Sequence, residues 1–235
     1  MDAGPEDALA PPRRPLAGRV WRVVLRWLGR AGVAVVVIVA LLSVLNPPTT
    51  WTILTEGTPG RRWTPAERIA PELLRAVVAA EDANFCRHWG FDMSEIRKVI
   101  ASGENRGAST LSQQTAKNVF LWQDRSWLRK GLEAGLTPLV EALWSKRRIL
   151  EVYVNVAEFG PGVFGVAQAA EVFWDTTPER LDAMQSARLA AVLPAPKSRD
   201  PRSRAVAARA RAIADGAATI ARDGRDACFI RPPGS

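Results

Sequence analysis

Pro71-Glu72-Leu73-Leu74-Arg75-Ala76-Val77-Val78-Ala79-Ala80-Glu81-Asp82-Ala83-Asn84-Phe85-Cys86-Arg87-His88-Trp89-Gly90 carries a helix, its end and the turn that follows. Proline opens a helix without losing a bond that the helix needs. Leu74, Val77, Val78 and Glu81 fall on one stripe at helical spacing. The stripe therefore ends on an acid. Burial disfavours a carboxylate, and so does the negative end of the helix dipole. Both push the acid towards the range useful for a general base. The other reading is a glutamate that exits to solvent where the helix stops, and position alone leaves both open. His88 is the single histidine of the chain and stands six residues after Asp82, with Phe85 between them. It reads more readily as the brace of a turn than as a proton carrier. The lack of a second histidine argues against histidine-based metal sites and Ser-His-Asp chemistry.

Outward from this segment the chain reads as helices. Thr64-Pro65-Ala66-Glu67 has the form of an N-cap, a first-turn proline and a capping-box glutamate. Asp92 to Glu95 is a second capping signal, ahead of Ile96, Val99 and Ile100. Residues 102–107 lack an apolar anchor and predict a mobile loop. Thr110 to Gln113 caps a helix ending near Phe120. Residues 126–143 are helical in pattern, weakened or kinked by Gly131, Gly135 and Pro138. Ser145 starts a helix with Ile149, Val152, Tyr153 and Val156 on its stripe. The run Phe159 to Gly165 is a glycine-rich turn that lacks the Lys-Ser/Thr ending of a nucleotide loop. Residues 165–174, 178–193 and 205–221 are further helices. No alternating strand pattern and no repeat stands out, so the fold class is mainly α.

The 235 residues leave room for one ordinary domain and an appendage. The formal net charge is +8, with +3 of it in residues 1–45, where six arginines face three acids. Such a balance suits phosphates, lipid headgroups or nucleic acid without choosing among them. Residues 1–15 have the composition of a disordered tail. An uncharged aliphatic run follows from Ala31 to Leu45, and Trp27, Leu28 and a snorkelling Arg30 extend it. All the arginines of this part precede the apolar run, which places the N-terminus in the cytoplasm and the remainder outside. A cleaved signal peptide and a buried core helix are the alternatives to an uncleaved anchor. The expected division is a basic cytoplasmic tail (1–26), a transmembrane anchor (27–46) and an extracytoplasmic domain (47–235). Cys86 and Cys228 lack metal-ligand spacing, and whether they pair stays open.

Two polar groups stand out further along. Gln113, Gln114 and Lys117 lie within one helical turn, a grouping suited to sugar hydroxyls and phosphate oxygens, or to a plain solvated face. Arg125, Arg129, Lys130 and Glu133 form the second group. Its i, i+3 and i, i+4 spacings fit an exposed salt bridge, or an acid held among cations beside an anionic leaving group. Phe120, Leu121, Trp122, Trp127 and Leu128 interleave with these cations. Aromatic with basic suits a membrane interface or single-stranded nucleic acid, and an extracytoplasmic location argues against the second.

Five blocks, in order over roughly residues 60–200, resemble the family 51 glycosyltransferases, the enzymes that polymerise lipid II. They are Glu81-Asp82-x-x-Phe85-x-x-His88-x-Gly90-Phe91-Asp92; Gly107 to Gln114, continuing to Lys117-Asn118; Arg129-Lys130-x-x-Glu133; Lys146-x-x-Ile149-Leu150-Glu151-x-Tyr153-Val154-Asn155 with Phe159-Gly160; and Leu189 to Pro194. Ala108 and Val154 depart from the family's usual glycine and leucine without touching a polar group. The resemblance implies a lysozyme-like helical glycosyltransferase domain behind a single transmembrane helix. It implies Glu81 as general base towards the acceptor sugar's 4-hydroxyl. Glu133 matches the acid that assists departure of undecaprenyl pyrophosphate, through a divalent metal (Mg or Mn) if one takes part, and the outcome is inverting. Lys117, Arg125 and Arg129 are the implied phosphate contacts. Gln113 and Gln114 line the donor side, Ser109 and Thr110 belong to the same substrate-binding block, and Asp82, Phe85 and His88 give structural support. The implied partners are lipid II, the growing glycan strand, the membrane, and cell wall synthases or divisome proteins, with no nucleic acid. The implied location is a bacterial inner membrane with the catalytic domain in the periplasm. Neither Ser-x-x-Lys nor Lys-Thr-Gly occurs, so no transpeptidase domain is expected. The rival functions are a lytic glycan-cleaving enzyme of similar fold and a membrane-tethered scaffold without activity.

Overall fold

A computed structural model of the chain describes residues 16–57, 61–103, 107–124 and 126–230. The chain divides into two compact units, Met1–Ile38 and Val39–Ser235. The expected disordered tail lies outside the described residues, as do residues 104–106 of the expected loop and Arg125.

Helix α1 spans Leu16–Leu42. Its stretch Val20–Leu42, 23 residues, is long and apolar enough to cross a membrane. At ~1.5 Å per residue it covers about 34 Å, against a hydrocarbon core of about 30 Å. Helix α2 (Trp51–Glu56) follows, capped by the Thr50 hydroxyl. The expected helix start at Thr64 is a single 3-10 turn, Ala66–Arg68, without a side-chain cap. Asn155 accounts for this. Its carboxamide accepts from Thr64 N–H and donates to Thr64 C=O, both at 2.8 Å, which fixes an extended backbone there. Pro71 then disfavours helix at the residue before it, and Ala70 has ψ 126°.

Helix α3 (Pro71–Glu81) buries Leu73, Leu74, Ala76, Val77 and Val78. Helix α4 (Met93–Ser102) is capped by Asp92, as its signal predicts, but it buries none of its residues. Helix α5 (Leu111–Phe120) begins with a complete capping box between Thr110 and Gln113. Helix α6 (Trp127–Leu143) continues through Pro138. Helix α7 (Lys146–Val156) starts at the Ser145 cap and is the most buried of the set. The run Phe159 to Gly165, expected as a turn alone, belongs to a small antiparallel hairpin, β1 (Glu158–Gly160) and β2 (Val163–Phe164), with Glu158 opposite Phe164. Two strands this short leave no alternation to read. Helix α8 is Val166–Trp174. The expected helix over 178–193 is split. Pro178–Arg180 is a 3-10 turn, and α9 (Ala183–Val192) starts from its own Asp182–Gln185 capping box. Helix α10 (Ala207–Arg222) and the four-residue α11 (Ala227–Ile230) are the last elements of the described residues.

The core forms where α3 packs on α9 and α10, and α5 on α6 and α7. Ala187, Ala190, Ala191 and Ala210 let the first group approach closely, while Leu73, Val77 and Leu189 fill the space between. Each fully buried leucine stabilises the fold by roughly 1.5–3 kcal/mol. The ends of α3 and α5 meet where these two groups adjoin.

Asn155→Ala leaves the Thr64 N–H and C=O without their partner in a fully buried position. Urea denaturation is expected to show a loss of roughly 2–4 kcal/mol. A loss below about 0.5 kcal/mol would mean that water replaces the carboxamide.

Candidate active site

Glu81 is the last residue of α3. Its Oε2 accepts a 2.9 Å hydrogen bond from Gln114 Nε2, one turn into α5. Gln114 Oε1 in turn accepts from the Tyr153 hydroxyl at 3.1 Å. The three side chains form a directed chain in which phenol polarises amide and amide stabilises carboxylate. Glu81 Oε1 is buried and has no hydrogen-bond partner among the described residues. One oxygen is therefore anchored and the other left open.

Burial is the largest influence on Glu81 and holds its carboxyl above the ordinary carboxylate range. The Gln114 hydrogen bond opposes this, as do the charges of Arg209 and Lys117, while Asp82 adds to it. Tyr153 is pushed well above the usual phenol range by burial and then by the Glu81 charge, so it acts as a donor. Lys117 is lowered chiefly by burial, with Glu133 and Glu81 raising it and Arg129 and Lys130 lowering it further. One lysine thus feels both candidate acids.

The turn after Glu81 is fastened through Asp82. Its carboxylate pairs with His88 Nε2 at 2.8 Å and accepts the Leu111 N–H at 2.9 Å. Phe85 is fully buried. Gly90 ends the turn at φ +86°, and a Cβ there would stand 2.8 Å from Thr137 Cγ2. The Thr110 hydroxyl donates to Gly90 C=O at 2.6 Å.

Glu133 is 3 % exposed. Its Oε2 accepts from Arg129 Nη1 at 2.7 Å, and its Oε1 pairs with Lys130. Lys130 also donates to Ser109 Oγ at 3.3 Å. The spacing that allowed an exposed salt bridge is instead a buried acid between two cations. Both of its oxygens are taken, and among the described residues no group of three His, Cys, Asp or Glu side chains could hold a metal ion. This donor set does not suit a divalent cation, which prefers several free oxygen ligands.

Two cavities flank the Glu81–Gln114 bond. The larger, about 520 Å³, is lined by Gln114, Lys117, Asn118, Tyr153, Glu158 and Lys197 among others. The smaller, about 280 Å³, is lined by Glu81, Asp82, Asp92, Glu95, Ser109 and Thr110 among others. Gln113 does not face the larger cavity. It is 5 % exposed, and its side chain accepts the Thr110 N–H as the inward half of the capping box. Of the two glutamines expected to line the donor side, Gln114 is the one that lines this cavity, beside Lys117. Arg129 is committed to Glu133 and to Asp124 C=O. Arg125 lies outside the described residues.

The roles of four participants went unread in the sequence. Tyr153, the single tyrosine of the chain, was legible as a stripe residue and as a member of the fourth block, but not as the partner of Gln114. Arg209 acts on Glu81 from α10, and no local motif announces it. Glu158, raised mainly by burial, and Lys197, paired with Glu56, line the larger cavity.

Comparison with known proteins gives this arrangement a lineage. Residues 50–218 match the profile of the transglycosylase family. The chain belongs to the transglycosylase family. It is 51 % identical over 222 residues to a biosynthetic peptidoglycan transglycosylase of Jannaschia sp. (strain CCS1), covering 92 % of this chain and 93 % of that one. It is 49 % identical to the protein of that name from Rhodospirillum centenum, over 76 % of this chain and 81 % of that one. For the Caulobacter vibrioides protein the identity is 44 %, over 82 % and 89 %. The matched span of this transglycosylase contains every residue of the Glu81, Gln114 and Glu133 groups.

The Gln114 amide stabilises the charged form of Glu81, so removing it raises the carboxyl further. In Gln114→Leu the Glu81 midpoint, followed by carboxyl carbon NMR, is expected to lie above that of the wild type. A midpoint that falls or stays would show that the amide bond does not hold the carboxylate.

Proposed function

We propose that this transglycosylase polymerises lipid II into peptidoglycan glycan strands and releases undecaprenyl pyrophosphate. The observation that carries the reading is the unpaired, buried Oε1 of Glu81, on a carboxyl whose other oxygen is fixed by Gln114. A buried acceptor without a partner costs free energy unless a ligand completes it. Here the ligand is the 4-hydroxyl of the acceptor sugar. Glu81 Oε1 takes the hydroxyl proton as the oxygen bonds to the anomeric carbon of the donor. The bond from that carbon to the pyrophosphate oxygen breaks, and its electron pair leaves with the pyrophosphate. Attack opposite the leaving group inverts α to β.

The leaving charge needs cations. Lys117 lines the larger cavity beside Gln114, which supports a reading of that cavity as the donor side. Glu133 pairs with Arg129 and Lys130, and no step here runs through a metal. Arg125 belongs to the same basic run by sequence. A lytic enzyme has no pyrophosphate to accommodate and gives no reason for this cluster.

The membrane completes the assignment. Trp127 and Leu128 at the start of α6 are 92 % and 68 % exposed, beside the cations that would meet headgroups. The α1 span supplies the anchor. With the arginines on its N-terminal side, the reading is a single-pass protein of the bacterial inner membrane, N-terminus cytoplasmic and catalytic domain periplasmic. The Cys86–Cys228 disulfide supports an oxidising compartment.

Glu81→Gln keeps the acceptor for Gln114 but removes the base. Turnover of labelled lipid II is expected to fall by roughly 10³-fold. Its thermal midpoint at pH 8 is expected to equal or exceed that of the wild type. The folded state holds the Glu81 proton more tightly than the unfolded chain does, so the wild type loses stability as pH rises through the raised value, and glutamine does not. Wild-type turnover in this variant would remove Glu81 as the base. Separately, the chain without residues 1–45 is expected to sediment with anionic vesicles, and Trp127→Ser with Leu128→Ser to weaken this. Complete solubility beside the vesicles would show that the start of α6 is not a membrane surface.

A further inference from the structure

The turn that follows Glu81 is held on two flanks by different means. On one flank the bonds are polar. Asp82 receives His88 and the Leu111 N–H, Lys146 Nζ donates to His88 C=O at 2.9 Å, and the same ammonium lies 4.5 Å from the Phe85 ring centroid. On the other flank the tie is sulfur. Cys86 is bonded to Cys228, 142 residues later in the chain. Phe229, beside Cys228, is fully buried with its ring centroid 6.3 Å from that of Phe85.

The segment that carries Cys228 is itself anchored. Four residues do not sustain a helix alone. Arg147 of α7 donates to the Phe229 and Ile230 carbonyls at 3.0 and 2.8 Å. Arg75 of α3 pairs with Asp226 at 2.7 Å. Arg75 lies on the helix that ends in Glu81, so α11 is registered against the base's own helix. The disulfide then links this fixed segment to the turn of the site, five residues beyond Glu81.

We propose that the Cys86–Cys228 disulfide is a positioning clamp for the turn that follows Glu81, so that turnover depends on the oxidation state of the pair. The proposal rests on Glu81 being the base. With the bond closed, Phe85 stays under Lys146 and Asp82 stays within reach of Leu111. With it open, the turn can relax into the adjoining cavity of about 220 Å³, lined by Ala83, Asn84, Arg87 and Arg225 together with the two cysteines. Water then reaches the Glu81 carboxyl and relieves the burial that raises it. The same cavity gives a small dithiol access to the half-buried sulfurs. Reduction breaks the S–S bond and leaves a thiol on each cysteine. The two electrons and two protons come from the dithiol, which becomes a disulfide.

The test uses the full chain in detergent micelles with labelled lipid II, compared as oxidised, dithiothreitol-reduced and reoxidised protein, and as the Cys86→Ser/Cys228→Ser double variant. Reduction is verified by titration of two thiols. The reduced protein and the double variant are expected to lose about tenfold in kcat with KM within about twofold, because the binding cavity is intact and only the base is misplaced. The acid limb of their rate profile moves to lower pH, far-UV circular dichroism is unchanged, and reoxidation restores the rate of the reduced sample. Two free thiols with unchanged kcat and acid limb would overturn the clamp. So would a loss of rate that tracks loss of helix signal, which would make the bond a general staple. An oxidised wild type that does not polymerise overturns the reading of Glu81 along with the clamp, whereas an active oxidised form indifferent to reduction overturns the clamp alone.

Discussion

The buried carboxylate of Asp82 is the point at which three segments are joined. Its own N–H closes α3 on Val78 C=O, its side chain pairs with His88 across the turn, and it accepts the first N–H of α5 from Leu111. An acid at the N-terminus of a helix meets unpaired donors and the positive end of the dipole. Glu81 immediately precedes this knot, and Gln114 lies one turn beyond it. The 2.9 Å bond between them is therefore a consequence of how Asp82 docks two helix ends, not an independent feature.

Several groups at the site are held against their preference. Burial raises Glu81 and Tyr153 and lowers Lys117. Each shift marks a charged form that the fold disfavours, and the helix packing of α3, α9 and α10 must offset it. Such groups cluster where chemistry is done, because a base poised near the working pH must be partly desolvated. Glu133 solves the same difficulty in another way. It is buried too, but between Arg129 and Lys130, so its charge is matched in place.

How much of this could be read from the sequence varies with distance along the chain. Thr110-x-x-Gln113 predicts the start of α5, and Ser145 that of α7, because a cap and its partner lie within one turn. Glu81 stood out because its stripe was otherwise apolar. The cap at Thr64 failed because Asn155, 91 residues away, claims the backbone first. Gln113 and Gln114 are adjacent and chemically identical. Only the rotation of α5 decides that one caps the helix and the other faces the cavity. Arg209 and the Cys86–Cys228 pair depend on α10 and α11 folding back over α3, which no local spacing encodes.

Charge differs across the Glu81–Gln114 wall. Asp82, Asp92 and Glu95 line the smaller cavity on the Glu81 side with no cation among its lining residues, while in the larger one on the Gln114 side Lys117 and Lys197 stand against Glu56 and Glu158. In the proposed reaction the pyrophosphate is repelled from the first and meets Lys117 in the second. Its proton-transfer counterpart is the Glu81 oxygen that Gln114 leaves free. A freely rotating Glu81 could serve water as readily as a sugar hydroxyl. Fixing one oxygen through Gln114, with Asp82 fastening the turn that follows, restricts the base in the proposed reaction to whatever the smaller cavity positions, which favours extension of a strand over its hydrolysis.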